Sequence, residues 1–352
     1  MRKRVFEQDD SSSASQHNRI AGVKKGSPSR WWLWLKRGVL GLVVIYILAP
    51  LRAFPDSIKH LVYSYRIRVP FFLDLSRPAD LSLNHTVNMY LTSEEGISLG
   101  VWHTVPESLW KEAQGRDSAW YQKSLGDGSP IFIYLHGNGG NRAATHRVGV
   151  ANVLSALGYH ALVLDYRGFG DSSGEPTEAG LTTDALYLYH WVKARSGGSL
   201  VVIWGHSLGT GVATNTAAKL MEQGVVVDGV ILEGMFKNAH SHAAAGHPFA
   251  WFYWKFPGYE YFFSDPLKDN KIVFPSDENV KKMRSALLIL HSEDDHLISI
   301  KEPQQVYEIA VSTQNSERVK MVSFEGSLGY LHNGLYRDPR LPDILKQFVL
   351  SL

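Results

Sequence analysis

Five residues in the middle of the chain, Gly205-His206-Ser207-Leu208-Gly209, have the types and spacing for nucleophilic chemistry. A serine hydroxyl attacks a carbonyl only when a base removes its proton and donors receive the charge that develops on the oxygen. Gly-x-Ser-x-Gly arises often by chance, so the flanking residues decide. Val201-Val202-Ile203-Trp204 reads as a buried strand ending at Gly205, and Thr210 to Thr214 opens a helix directly after Gly209. A serine at so sharp a strand-to-helix turn sits in strained backbone, and the residues two before and two after it must be small. The helix N-terminus behind Ser207 also favours developing negative charge.

Such a nucleophile needs two oxyanion donors. One is expected from the backbone N–H of Leu208, the residue after the serine. The other is expected from the loop after an earlier strand, His136-Gly137-Asn138-Gly139-Gly140-Asn141, where glycines let the backbone approach a carbonyl. Asn138 is the expected donor there, with Gly137 as runner-up. The loop lacks the Gly-Lys-Ser/Thr ending of a phosphate-binding loop and the Gly-x-Gly-x-x-Gly spacing of a dinucleotide site.

The chain has 15 histidines, so residue type alone does not choose the base. When strand, nucleophile and helix follow one another in this way, the acid and then the histidine come later in the chain. The strand Ala286–Leu290 ends in His291-Ser292-Glu293-Asp294-Asp295-His296, which holds three carboxylates. Asp294 and Asp295 stand equal as candidates on these grounds. Beyond them remain His296, which would have to fold back across its own loop, and His332, on the loop after the last strand. His332 is the expected base by elimination. Asp165, which precedes the serine, reads as a structural residue bonding loop backbone near Arg167, and Asp171 likewise.

These side chains need a scaffold. Val87–Leu91 and Ile97–His103 read as an antiparallel pair around Glu94-Glu95-Gly96. Continuous apolar runs at Ile131–Leu135, Ala161–Leu164, Leu200–Trp204, Gly229–Leu232 and Ala286–Leu290, then Lys320–Phe324, alternate with helical stretches. The helices are expected near Arg142–Leu157, Thr177–Arg195, Leu208–Gln223, Glu302–Val311 and Pro342–Leu350. Alternation of this kind predicts a mostly parallel sheet covered by helices on both faces. The stretch at about 234–283 exceeds a simple crossover and carries the aromatic run Pro248 to Phe263. It is expected to form a cap over the serine, its rings serving either acyl chains and a bilayer interface or the cap's own core.

The amino-terminal part reads differently. Residues 1–30 are polar and basic without apolar periodicity, the pattern of a disordered tail. Residues 31–54 contain Gly38 to Leu51, an apolar run somewhat short for a bilayer, which the Trp31-Trp32-Leu33-Trp34 cluster extends. A single-pass signal anchor is predicted, with Arg2, Lys3, Arg4, Arg19, Lys24, Lys25, Arg30, Lys36 and Arg37 keeping the tail cytoplasmic. A buried core helix and a cleaved signal peptide are the alternatives. Residues 55–85 read as a juxtamembrane connector, and 86–352 as the catalytic domain, which the anchor would hold in a lumen or outside the cell. Asn84-His85-Thr86 is a glycosylation sequon on that side.

A formal net charge of +2 argues against a dedicated nucleic-acid binder, and the absence of cysteine excludes thiolate ligands and disulfides. His136, His206, His240, His242 and His247 follow no metal-ligand spacing, so neither metal nor cofactor is expected.

With these residues in hand, the chain resembles the membrane-anchored α/β-hydrolase-domain lysophospholipases, especially the lysophosphatidylserine and monoacylglycerol lipases of the endoplasmic reticulum. The resemblance covers roughly residue 95 to the end. It rests on His136-Gly137-Asn138, Asp165-Tyr166-Arg167-Gly168, Trp204 to Thr214, Asp277-Glu278-Asn279-Val280, Leu287 to His291 and Leu328-Gly329-Tyr330. It implies an α/β-hydrolase fold, Ser207 as nucleophile, Asp295 as acid, His332 as base, a lipid substrate and a lumenal catalytic domain on an endoplasmic reticulum anchor. The chain departs from the family's usual Asp-Pro-Val-Val-Pro at Asp295-His296-Leu297-Ile298-Ser299. It departs from Glu-Ser-Pro-Phe at Glu233-Gly234-Met235-Phe236. Both departures bear on pocket shape. An acyl-protein thioesterase would use the same residues, but acylated cysteines face the cytoplasm. A catalytically silent scaffold would not need the complete set.

Overall fold

The computed structural model describes residues 30–54, 56–245 and 260–352. The tail before residue 30 and the larger part of the aromatic run, 246–259, lie outside the described residues. The chain divides into two units, Met1–Ile45 and Tyr46–Leu352. Helix α1 (Arg30–Ala53) begins in the first. There Trp31, Trp32 and Trp34 are exposed, and the Lys36 ammonium and Arg37 guanidinium lie 5.3 and 5.8 Å from the rings of Trp32 and Trp34. Among the described residues no helix is long and apolar enough to cross a membrane.

The second unit is built on an eight-stranded sheet in the order β1-β2-β4-β3-β5-β6-β7-β8. The strands are β1 (Thr86–Glu94), β2 (Ile97–Thr104), β3 (Ile131–Leu135), β4 (His160–Leu164), β5 (Val201–His206), β6 (Gly229–Glu233), β7 (Ala286–Ser292) and β8 (Val319–Phe324). The first two form the expected hairpin and β2 pairs antiparallel with β4; every other pairing is parallel. Strands β3 to β7 are buried along their whole length, which is why they read as unbroken apolar runs.

Alternate residues of these strands feed two separate cores, because successive side chains point to opposite faces. Ile131, Ile133, Leu135, Val201 and Ile203 join one core, and Phe132, Tyr134, Val202 and Trp204 the other. The first face is covered by α4 (Glu178–Lys193), α5 (Leu208–Glu222), α7 (Ser276–Lys282) and α8 (Lys301–Thr313). The second is covered by α3 (Thr145–Ala156) and α9 (Leu341–Leu350). In the insertion between β6 and β7, α6 (Ala239–Ala245) precedes α7, and Met235, Phe236, Leu267 and Phe274 are buried in the first core.

The stretch 55–85 contains a helix the sequence did not announce, α2 (Ser57–Tyr63). Ile58, Tyr63, Tyr65, Leu75 and Leu83 are buried, so this part of the chain is packed into the cores. Asn84 is exposed on the turn that leads into β1.

Candidate active site

Every strand from β3 to β8 is parallel, so the loops leaving their carboxyl ends gather on one edge of the sheet. Ser207 occupies the turn between β5 and α5 with φ 52° and ψ −120°, a region that L-residues rarely adopt. The turn is locked by close packing. A Cβ on Gly209 would collide with the Leu135 carbonyl, so only glycine lets α5 start this near to β3. Hydrogen bonds then tie the residues just past the strand ends to carboxyl-terminal residues of the neighbouring strands. Ser207 N–H donates to the Glu233 carbonyl at 2.9 Å, Gly234 N–H to the Leu290 carbonyl at 3.0 Å, and Glu293 N–H to the Phe324 carbonyl at 2.9 Å.

The loop after β7 separates the two aspartates that residue order left level, and of which the family resemblance pointed to Asp295. Asp295 Oδ2 lies 2.6 Å from His332 Nδ1, and its Oδ1 accepts the Leu297 and Ile298 N–H groups at 2.9 and 3.0 Å. Asp294 instead accepts the Ser292 hydroxyl and the Leu331 N–H, at 2.5 and 3.0 Å, which fixes the backbone beside His332. Burial alone would raise the Asp295 pKa. The bond and charge of His332, with the two amides, outweigh it and bring the carboxyl down to about 2. His332 Nε2 is buried and has no hydrogen-bond partner among the described residues, so one ring nitrogen is held by a carboxylate and the other is free to take a proton. Its Cε1 lies 3.1 Å from where a Cβ on Gly234 would stand, next to the residue whose carbonyl receives Ser207 N–H. His296 is exposed, outside this contact.

His206 ties the Ser207 turn to the His332 loop. Its Nε2–H donates to the His332 carbonyl at 3.0 Å, and the two rings stand 5.0 Å apart. Burial, with the neighbouring His332, pushes His206 down to about 3, so it stays neutral. Trp204 Nε1–H donates to Glu233 Oε2 at 3.0 Å. Burial pushes this carboxyl up to about 8, against the Trp204 bond and with the help of the nearby Asp295 charge.

The glycine-rich loop after β3 lies next to the same turn, since a Cβ on Gly137 would stand 2.9 Å from Ser207 Cβ. Its carbonyls are drawn inward by the buried Arg147, which donates to Asn141 and Gly139 at 2.6 Å and to Gly137 at 3.4 Å. Turning carbonyls one way turns the neighbouring amides the other. Neither this arginine's role nor that of Arg142 is visible in the residue pattern. Asp165 is structural, as expected, but the loop backbone it bonds is that of Arg142 and not that near Arg167. Its Oδ1 accepts Arg142 N–H at 2.7 Å and its Oδ2 the Arg142 guanidinium at 2.6 Å. Arg167 pairs with Asp184 and Glu94 instead. Asp171 also bonds Arg142, at 2.6 Å, so both aspartates brace the loop. Burial would raise Asp165, but Arg142, His136 and Arg147 hold it below the usual carboxylate value. Among the described residues no group of histidine and carboxylate side chains could hold a metal ion.

Comparison with known proteins agrees with this architecture. The α/β-hydrolase-fold family matches residues 130–268. The chain is 46% identical over 334 residues to the lysophosphatidylserine lipase ABHD12 of Gallus gallus, covering 93% of this chain and 87% of that one. It is 48% identical over 297 residues to protein ABHD12B of Homo sapiens, covering 84% and 81%. Among solved structures, an α/β hydrolase of Vibrio vulnificus superposes with a TM-score of 0.61 at 17% identity, covering 84% and 93%. An esterase of Pyrococcus furiosus gives 0.55 at 17% identity over 81% and 95%. At that identity these two show the fold alone.

Proposed function

The chain belongs to the ABHD12 family of α/β hydrolases, and we propose that it is a membrane-bound serine hydrolase cleaving the acyl ester of lysophosphatidylserine and of monoacylglycerols. The observation that carries this reading is the bond of 2.6 Å between Asp295 and His332, beside a serine held at φ 52°. In this reading His332 Nε2 takes the Ser207 proton as Oγ attacks the ester carbonyl. Asp295 keeps the ring in the Nδ1–H tautomer and stabilises the imidazolium. The Leu208 and Asn138 N–H groups receive the oxyanion. His332 then gives its proton to the glycerol oxygen that leaves, and water, activated by the same nitrogen, releases the fatty acid from Ser207. The similarity to a lysophosphatidylserine lipase supports the substrate class.

The reading extends to where the enzyme works. Residues 31–54 would serve as a single-pass anchor in the endoplasmic reticulum membrane, after a cytoplasmic tail at 1–30 and before a lumenal hydrolase domain at 86–352. Exposed Trp31, Trp32 and Trp34 beside Lys36 and Arg37 suit a headgroup boundary, and the exposed turn at Asn84 suits a glycan. The test combines three measurements. A fluorophosphonate probe should label the purified chain and not Ser207→Ala. Release of fatty acid from lysophosphatidylserine should vanish in the same variant. An endoglycosidase should shorten the cellular protein, and Asn84→Gln should not respond. Labelling that persists in Ser207→Ala would sink the catalytic assignment.

A further inference from the structure

We propose that the turn at Arg66–Phe72 is a second contact with the bilayer, one that seats on an anionic lipid surface and braces the oxyanion loop from there. The proposal rests on the membrane reading given above.

The turn holds apolar rings out in water. Phe71 is 65% exposed and Phe72 fully so, and Ile67 and Val69 are exposed beside them. Phe72 has φ 60°, a strained backbone for a bulky residue, and its ring stands in solvent, where packing does not offset the strain. Contiguous exposed rings of this kind mark an interaction surface. Their charge says which. No carboxylate occurs between Asp56 and Asp74, while Arg66 and Arg68 do, and Lys59 is paired with Asp56 at 2.9 Å. Asp74 is turned back onto Ser76, and Asp171, which shares a cleft with Arg68 and Phe71, is bonded to Arg142 and Tyr90. Glu175 shares a cleft with Arg66 and Arg68, but no ion pair is formed with either arginine among the described residues. Rings at a tip with two such arginines behind them fit an interface of acyl chains under anionic headgroups.

The same turn touches the catalytic edge. Gly140 N–H donates to the Ile67 carbonyl at 3.0 Å and Gly139 N–H to the Tyr63 carbonyl at 3.3 Å. Both glycines follow Asn138 within two residues. A lipid surface that steadies 66–72 thereby steadies the loop that carries an oxyanion donor, so activity on vesicle-borne substrate should exceed what a soluble ester elicits.

The chain has no cysteine, so Phe72→Cys provides a single labelling position. The full chain, carrying Ser207→Ala and an environment-sensitive fluorophore at position 72, is reconstituted with vesicles of phosphatidylcholine, with or without phosphatidylserine. We expect blue-shifted emission and quenching by nitroxide-bearing lipids when phosphatidylserine is present. A label at Glu317→Cys, on the turn before β8 at the opposite edge of the sheet, should show neither. Arg66→Ala and Arg68→Ala should each reduce the phosphatidylserine-dependent contact by about fivefold. A position 72 as unquenched as position 317 overturns the proposal, as does quenching indifferent to phosphatidylserine. A blue shift that grows with protein concentration in detergent, without lipid, overturns it in favour of a second copy of the chain. A chain that fails to float with vesicles at all overturns the membrane reading itself, and leaves the Ser207 assignment to its own labelling test.

Discussion

Asp294 and Asp295 are neighbours with the same side chain and opposite tasks, and the difference lies in direction alone. Asp295 faces the His332 ring, whereas Asp294 faces backbone and a hydroxyl. Asp295→Asn should leave the turn intact but favour the wrong tautomer of His332, lowering kcat by about 10⁴-fold. Asp294→Asn keeps an oxygen for Leu331 N–H and should cost far less. Steady-state hydrolysis of a soluble ester by the two variants checks the assignment, and equal losses would refute it. Residue types and order could not separate the pair and only the family resemblance favoured Asp295, because which of two adjacent loop residues points inward depends on the Leu297 and Ile298 amides that close the turn. The serine, by contrast, was legible, since a strand, two small residues and a helix in register admit few other readings.

At the scale of elements, the loop after β3 is a positioned device rather than a flexible one. Arg147 gathers three of its carbonyls, and Arg142 anchors its end on two aspartates. Arg147→Met keeps much of the buried volume and loses the donors. We expect kcat, and the rate of fluorophosphonate labelling, to fall by about 10² or more, the scale of losing an oxyanion donor, with KM little changed. Burst kinetics on an activated ester distinguish this outcome from simple loss of folded protein. The strands were legible because β3 to β7 are buried on both faces, which leaves unbroken apolar runs. The two arginines were not, because a charged residue in a loop, like Arg142, or in the first turn of a helix, like Arg147, ordinarily points to solvent. Helix α2 was hidden for a related reason. Its buried residues, Ile58 and Tyr63, are interleaved with Lys59 and His60, so a short helix half in the core reads as a linker.

The whole molecule carries the electrostatic consequence of burying Glu233 behind the site. Its folded pKa of about 8 lies above the ordinary 4.5, so the unfolded chain loses this proton first. Its contribution to stability is therefore full below pH 4.5 and declines as pH rises towards 8, by up to about 1.4 kcal/mol per pH unit. Asp295 acts with the opposite sign. Its contribution is present above 3.8 and is lost as pH falls towards 2. Glu233→Gln should flatten the decline between pH 5 and 8 in denaturant midpoints and leave the acid limb to Asp295. A parallel slope in wild type and variant would show that the carboxyl is already ionised there. This feature was not legible either, for the sequence shows only that Glu233 ends an apolar strand.

The hydrogen bonds that run past the strand ends, from Ser207 to Glu233, from Gly234 to Leu290 and from Glu293 to Phe324, carry a consequence for time rather than for shape. Three residues just past the ends of β5, β6 and β7 are tied by main-chain bonds to carboxyl-terminal residues of the neighbouring strands, so none can lift away without freeing a strand carbonyl. In deuterated water the amides of Ser207, Gly234 and Glu293 should exchange on the schedule of the central strands, through opening of the whole sheet, although each lies in a loop or at a loop boundary. The slow clock of the sheet would then govern the reactive centre too, and the motions that admit a lipid and release its product would have to arise outside those bonds.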